Sequence, residues 1–368
     1  MSGAAYLMLE NGMVFEGKYF GGENEIDREV TGELVFSTGM TGYLETLTDP
    51  SYCGQIVLQT FPLIGNYGVI SSDFESPIIG PKAYIVKYPC QDPSNFRSEG
   101  DLDTFFKQRG IVGLCGIDTR AVTRVIRENG VMNGKITAHE PSAADLEEIK
   151  SYRITGAVEK VSRKEPEFFK SEAGKYTVAL LDFGMRRCVR EALLQRGADV
   201  WEFPHAATLK DITGAIGANP DGIVLSNGPG DPLDSQAMIN NVKEIISSEI
   251  AVFGVGLGHQ LLSLANGFET EKLKYGHRGA SQPVRDTKTG RLYITNQNHG
   301  YAVVSRSIAA ETAEETFVNV NDGTCEGIRC KKHPVFSVQF LPDTTNGANG
   351  TGFIYDEFIN GMEGRKCR

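Results

Sequence analysis

The residues best placed by type and spacing to do chemistry lie in Ala251 to Asn266, AVFGVGLGHQLLSLAN. Apolar Val252 to Val255 predict a short buried strand. The chain then passes Gly254, Gly256 and Gly258 and runs into Leu257 to Ala265, an apolar segment that favours helix. A strand that turns sharply into a helix, with small residues around one central position, is the pattern of a nucleophile elbow. The central residue stands exposed over the helix N-terminus and in a working elbow is Ser or Cys. Here it is Gly256. The architecture of a nucleophilic enzyme is present and the nucleophile is missing.

Two further kinds of cluster belong with this turn. Ser226-Asn-Gly-Pro-Gly-Asp-Pro232 follows the apolar run Gly222 to Leu225. Gly228 and Gly230 there would let backbone N–H groups approach a ligand oxygen closely. Alone such a loop is more often only a turn; beside a second glycine-rich strand–helix turn it points to a shared site at the carboxyl ends of strands. Asn296-Gln-Asn-His-Gly-Tyr301 and Tyr275-Gly-His-Arg-Gly279 gather further polar groups. His259, His277 and His299 read as structural residues, with neighbours that line the pocket.

The elements that must position these loops follow from apolar periodicity. From Lys175 the chain alternates strand and helix: strands at Val178 to Leu181, Val200 to Phe203 and Gly222 to Leu225, helices at Arg187 to Arg196, Leu209 to Ile216 and Ser235 to Ser247. That order predicts a mostly parallel sheet flanked by helices. Short strands are expected near Leu292 to Thr295, Ala302 to Ser305 and Val335 to Gln339, and a closing helix over Phe353 to Gly361. Residues 1–20 alternate around a Glu10-Asn11-Gly12 turn and predict a hairpin. Helices are expected at Leu102 to Gln108 and at Thr119 to Glu128, the second capped by Asp118 or Thr119. The fold class is thus α/β, with an N-terminal mixed α/β domain over 1–140, a charged connector over 141–174 with one helix near Ala143 to Ser151, and a C-terminal α/β domain over 175–365.

Composition limits the partners. A chain of 368 residues calls for two domains. A net charge of -10 argues against nucleic acid and against an anionic membrane surface. No basic, apolar leader opens the chain and no run of about 18 apolar residues occurs, so neither a signal peptide nor a membrane span is expected. Seven scattered cysteines without a CxxC pair fit a reducing, cytoplasmic setting rather than a disulfide framework or zinc site.

Several of these stretches together resemble the small subunit of carbamoyl-phosphate synthetase, in the class I glutamine amidotransferase family. They are Met40 to Ile56, Phe61 to Gly68, Asn95-Phe-Arg97 and Gly116-Ile-Asp-Thr-Arg120 in the first half. In the second they are Asp182-Phe-Gly184, LSNGPGDP ending at Pro232, FGVGLGHQLL ending at Leu262, YGHRGASQPV ending at Val284 and QNHGYAV ending at Val303. The resemblance implies a class I amidotransferase-like C-terminal domain that hydrolyses glutamine and passes ammonia to a large synthetase subunit, which makes carbamoyl phosphate for pyrimidine and arginine synthesis. ATP, bicarbonate and magnesium would bind only that large subunit, and this chain would hold no cofactor or metal. Carried over by residue, the glutamine pocket would be Ser51, Gly228, Gly230, Leu257, Gln260, Asn298, Gly300 and Tyr301. The N–H groups of Gly228 and Leu257 would form the oxyanion hole.

The departures from the family fall on the chemistry. The family's elbow is Gly-x-Cys-x-Gly, and its base and orienting acid lie in His-Pro-Glu; here these positions are Gly256, Leu341 and Asp343. The following loop, Asn346 to Gly352, lacks the family's prolines. Glycine cannot form an acyl-enzyme and leucine cannot shuttle a proton, and such groups act as a unit. Three readings follow: a subunit without glutaminase activity that shapes an ammonia-using large subunit, a working glutaminase subunit whose chemistry comes from other residues, and a glutamine sensor without a synthetase partner. Either natural divergence or deliberate alteration accounts for the replaced positions; three changes and a remodelled loop favour divergence.

Overall fold

Residues Ala4–Leu9 (β1) bury alternate side chains, and Val14–Phe20 (β2) returns beside them. The pair is antiparallel, Ala4 facing Lys18 and Met8 facing Val14, and Gly12 takes φ 84° at the turn. This is the hairpin expected from the Glu-Asn-Gly signal. The computed structural model describes residues 4–21, 29–342 and 350–366. The expected orienting carboxylate, Asp343, and most of the 346–352 loop lie outside the described residues.

The described chain divides into two units, Met1–Ala157 with Lys274–Gly279, and Val158–Leu273 with Ala280–Arg368. In the first unit the chain continues through β3 (Val30–Ser37), α1 (Tyr43–Leu47), β4 (Gln55–Gln59), β5 (Leu63–Ile64), β6 (Ala83–Ile85) and β7 (Tyr88–Pro89). It then forms α2 (Leu102–Arg109), β8 (Val112–Cys115), α3 (Thr119–Asn129), β9 (Met132–Thr137) and α4 (Ala143–Ser151). Strands close into a barrel in the order β1-β2-β8-β6-β4-β3-β9, with β9 pairing back onto β1. Inside it pack Leu7, Leu34, Ile56, Leu58, Ile85 and Leu114, with Val122 and Ile126 of α3. The intervening strand residues Val35, Val57 and Tyr84 pack instead with Leu44 and Leu47 of α1 and Leu102 and Phe106 of α2. Side-chain alternation thus gives each of these strands two apolar faces. Barrel closure was not among the expectations; it depends on β9, a strand with lysine, asparagine and glycine, meeting β1 and β3.

That β9 tolerates lysine has a specific cause. Lys135 is buried, and its ammonium contacts Asp145 at 2.7 Å, Glu148 at 2.7 Å and Glu29 at 2.5 Å. Burial opposes its charge, but the three carboxylates outweigh burial and hold its pKa above the ordinary lysine range. Asp145 also completes a capping box with Ser142 at the start of α4. The Lys135 contact, then the Ser142 hydroxyl, hold the Asp145 carboxyl well below its usual range. A depressed carboxylate stabilises the fold above its unfolded pKa of about 4 and stops doing so as pH falls through the folded value. Asp145→Asn is therefore expected to lower unfolding free energy by about 2–3 kcal/mol at pH 7, since it takes the most buried of three carboxylates from a buried ammonium. The difference from the parent should shrink below about pH 4. Urea unfolding at pH 7 and pH 3 checks both; an equal loss at the two pH values would refute the ion-pair explanation.

The second unit contains α5 (Ala157–Val161), β10 (Glu167–Phe169), β11 (Tyr176–Asp182), α6 (Arg187–Leu194), β12 (Ala198–Pro204), α7 (Leu209–Ile216), β13 (Gly222–Leu225) and α8 (Gln236–Ser247). It ends with β14 (Ala251–Val255), α9 (Leu257–Ala265), β15 (Thr270–Asp286), β16 (Leu292–Val303), β17 (Ala313–Asn319), β18 (Cys325–Cys330), β19 (Val335–Val338) and α10 (Phe353–Lys366). The sheet order is β10-β12-β11-β13-β14-β19-β18-β16-β15-β17. Pairings from β12 through β19 are parallel, as the strand–helix alternation predicts. Ala179, Leu181, Ile223, Leu225 and Val252 pack with α7, α8 and α9 on one face. Val178, Leu180, Val224, Phe253 and Val255 pack with α6 and α10 on the other. These strands read as continuous apolar runs because both faces are covered.

One expectation needs correction. The two short strands foreseen near Leu292 and Ala302 are a single strand, β16. Its polar middle stays extended because its side chains find partners along the strand and, through Glu326 of β18, across the sheet. Gln297 Nε2 donates to Thr295 Oγ1 at 3.0 Å and to Glu326 Oε2 at 3.1 Å, and His299 Nε2 lies 3.0 Å from Gln297 Oε1.

Candidate active site

The elbow forms where β14 ends. Gly256 adopts φ 56° and ψ -111° and is the N-cap of α9. Its N–H donates to the Val338 carbonyl at 3.0 Å, and Gly258 N–H donates to the Ser226 carbonyl at 3.0 Å. The turn therefore sits at the carboxyl ends of β13 and β19, where open parallel sheets place their ligands. Gly258 is required by contact. A Cβ there would lie 2.2 Å from the Leu225 carbonyl oxygen. Gly256 differs: a Cβ would meet Asn227 Cβ at 3.2 Å and the Gln339 carbonyl oxygen at 3.9 Å. A side chain at the tip would fit only tightly, against Asn227, and the left-handed backbone is what glycine relaxes.

The Ser226–Pro232 loop forms the next wall. A Cβ on Gly228 would lie 2.3 Å from the Phe183 carbonyl oxygen, and Gly230 has φ 94°. Asn227 anchors the loop, accepting from Arg186 N–H at 3.2 Å and donating to the Gly184 carbonyl at 3.1 Å. Among the described residues neither the Gly228 nor the Leu257 N–H donates to another protein group. Unspent donors beside a helix N-terminus favour negative charge on a bound oxygen.

The third wall is tied on by Gln260. Its Nε2 donates to the Tyr301 carbonyl at 2.8 Å and to Gln339 Oε1 at 3.0 Å, linking α9 to β16 and to the chain after β19. Asn298, three residues before Tyr301, has both amide atoms buried without a hydrogen bond among the described residues, and so does Gln339 Nε2. An orphaned buried amide costs about 1–3 kcal/mol, so such groups call for a polar ligand. Leu341 stands in the family's base position. Its N–H donates to the Asn296 carbonyl at 2.9 Å, and its side chain packs at the margin of the core under α10. Asn298→Leu is expected to raise thermal stability of the ligand-free chain, by about 1 kcal/mol, while removing any shift that glutamine causes. Thermal melts with and without glutamine test this; a destabilised variant with an intact glutamine shift would contradict it.

The structure thus assembles Gly228, Gly230, Gly256, Leu257, Gln260, Asn298, Gly300, Tyr301 and Leu341 within the second unit. Ser51 belongs to the first unit, buried in a single 3-10 turn where its N–H donates to Asp49 Oδ1 at 2.9 Å. His259 is buried with Nδ1 2.8 Å from Ser337 Oγ, and burial pulls its pKa down to about 3. His299 is held by Gln297 and by the Tyr301 carbonyl at 2.7 Å. Both rings are thus tied to protein groups. His277 falls in the first unit. Burial pushes the Cys325 thiol up and that of Cys330 up to about 11, so neither is a thiolate at neutral pH. Cys188, within α6, packs at the edge of the core.

Two neighbours of the tip, Asn227 and Gln339, carry no spacing signal of their own. Asn227 lay inside the glycine-rich loop, but Gln339 reaches the elbow only through the parallel pairing of β14 with β19.

Comparison with known proteins agrees with this geometry. The family described as "Carbamoyl-phosphate synthase small chain, CPSase domain" matches residues 7–136, and "Glutamine amidotransferase class-I" matches residues 179–360. A carbamoyl phosphate synthase small chain from Bacillus thuringiensis subsp. konkukian is 45% identical over 98% of this chain and 96% of its own length. The Clostridium perfringens small chain is 45% identical over 96% of this chain and 98% of its own. A pyrimidine-specific small chain from Halalkalibacterium halodurans is 44% identical over 98% of each. With its barrel unit, its elbow-bearing parallel sheet and these full-length likenesses, the chain belongs to the carbamoyl phosphate synthase small chain family.

Proposed function

We propose that this chain is a synthetase small subunit that has lost glutamine hydrolysis and serves as the structural or regulatory partner of a large subunit using free ammonia. Gly256 at the tip of the elbow carries this reading. Hydrolysis of an amide by this fold needs a thiolate to attack the carbonyl carbon and an imidazolium to protonate the departing ammonia. Gly256 supplies no sulfur and Leu341 no proton. Remaining donors at Gly228 and Leu257 would stabilise an oxyanion that nothing here generates. ATP, bicarbonate and magnesium fall to the large subunit. The reading places the complex in the cytoplasm, supplying carbamoyl phosphate to pyrimidine and arginine synthesis.

The unpartnered Asn298 amide supports retained glutamine binding without turnover. Glutamate release from glutamine, measured with the large subunit present, tests the proposal. The expected result is no release above background, with ammonia-dependent carbamoyl phosphate synthesis intact. A rate near that of a thiol-containing relative would overturn it.

A further inference from the structure

Outside the elbow, the first unit carries a cleft of about 840 Å³. Lys87, Arg120, Arg124 and Arg127 line it, together with Phe61 and Pro62. The arginines follow i, i+4, i+7 spacing and so share one face of α3. Val122 and Ile126 of the same helix are buried in the barrel, while the three arginines are exposed. No carboxylate among the described residues pairs with any of these four cations. Like charges one turn apart cost a helix a few tenths of a kcal/mol. In a chain of net charge -10, an unneutralised basic stripe has no evident folding role.

The cleft's chemistry argues for a protein face over a small anion. Two of its hydroxyl protons are already spent, Thr60 Oγ1 donating to the Ser37 carbonyl at 3.1 Å and Thr123 Oγ1 to the Thr119 carbonyl at 2.7 Å. Four cations line the cleft, and Thr38 and Thr119 are its other hydroxyls. Beside it lie Leu63, 42% exposed, and Tyr88, 56% exposed, which face each other across the β5–β7 pair. Leu63 follows Pro62 directly and Tyr88 follows Lys87. Arginines next to an exposed aromatic and an aliphatic side chain match the make-up of protein interfaces.

We propose that this cleft is the docking surface for an acidic segment of the synthetase large subunit. Carboxylates of that segment pair with Arg120, Arg124 and Arg127, and Leu63 and Tyr88 take its apolar side chains. The inference rests on the family reading above, in which a large subunit is the partner. It adds where, and by what chemistry, that partner is held.

The test uses the full-length chain and the large subunit of the same organism. Binding is measured at low salt and at 0.5 M salt for the parent, for Arg124→Glu/Arg127→Glu, and for Arg124→Lys/Arg127→Lys. Expected are salt-weakened parent binding, at least a 100-fold loss at low salt in the Glu variant, and a few-fold change in the Lys variant. Both substituted positions are exposed, so all three proteins should melt within a few degrees of one another. Parent-like binding by a folded Glu variant overturns the docking surface and leaves the family reading standing. No binding by the parent overturns both. Thermal stabilisation of the parent alone by inorganic pyrophosphate, with unchanged large-subunit binding, overturns the proposal in favour of a small polyanion.

Discussion

Gly256→Cys, Leu341→His and Asp343→Glu combined are expected to raise glutamate release on the order of 10³-fold or more over the parent. Part of the scaffold for that chemistry lies among the described residues. The tip already has the elbow backbone, φ 56° and ψ -111°. The Gly228 and Leu257 N–H groups are unspent among the described residues. The backbone at Leu341 is pinned by the Asn296 carbonyl, which gives a new imidazole a fixed origin. The introduced thiol has a tight fit, with Asn227 Cβ 3.2 Å from the added Cβ. Left-handed strain at a non-glycine residue adds about 1–3 kcal/mol. Gly256→Cys alone should therefore lose stability and gain almost no turnover, because a thiol without its base is mostly protonated. The single, double and triple variants should be strongly non-additive in rate. Glutamate production by the chain in the presence of its large subunit is the readout. Failure of the folded triple variant both to turn over and to form a thioester would show that the pocket itself, and not only its reacting groups, has been lost.

Gly258→Ala is expected to produce the largest loss of stability of any single methyl addition to the elbow. Added Cβ and Leu225 carbonyl oxygen would be 2.2 Å apart, and the Leu225 carbonyl carbon 2.6 Å away. Both neighbours are backbone of a central strand, so neither can rotate aside. Relief requires α9 to lift from β13, breaking the Gly258 N–H bond to Ser226 and opening the packing of Leu261 and Leu262. A loss of about 3–5 kcal/mol is expected, above the usual cost of overpacking because the clash is with backbone. Gly214→Ala provides the contrast. Gly214 lies within α7, exposed, with nothing within 4 Å of an added Cβ. There the same methyl should stabilise by up to about 1 kcal/mol through helix propensity. Denaturant unfolding of the two variants should move in opposite directions; equal shifts would mean that the close approach of α9 to β13 is not what glycine serves at 258.

Local signals were enough for the parts of the protein that depend on neighbours in the chain. Apolar runs of β11, β13 and β14, the cap at Asp118, and the change of period at Gly256 are all short-range features. They predicted the parallel sheet, most helix positions and the elbow. Absence of sulfur at Gly256 and of imidazole at Leu341 is likewise a matter of residue identity alone. Tertiary structure decided what depends on distant partners. β16 runs unbroken through its polar middle because Glu326 of β18 satisfies Gln297. The barrel closes on a lysine-bearing strand because Asp145 and Glu148 of α4 reach Lys135. Gln260 meets Gln339 only because β14 and β19, far apart in sequence, are sheet neighbours. Local propensity reports the conformation a segment prefers, whereas burial and hydrogen-bond satisfaction are settled by whichever segments the fold brings alongside.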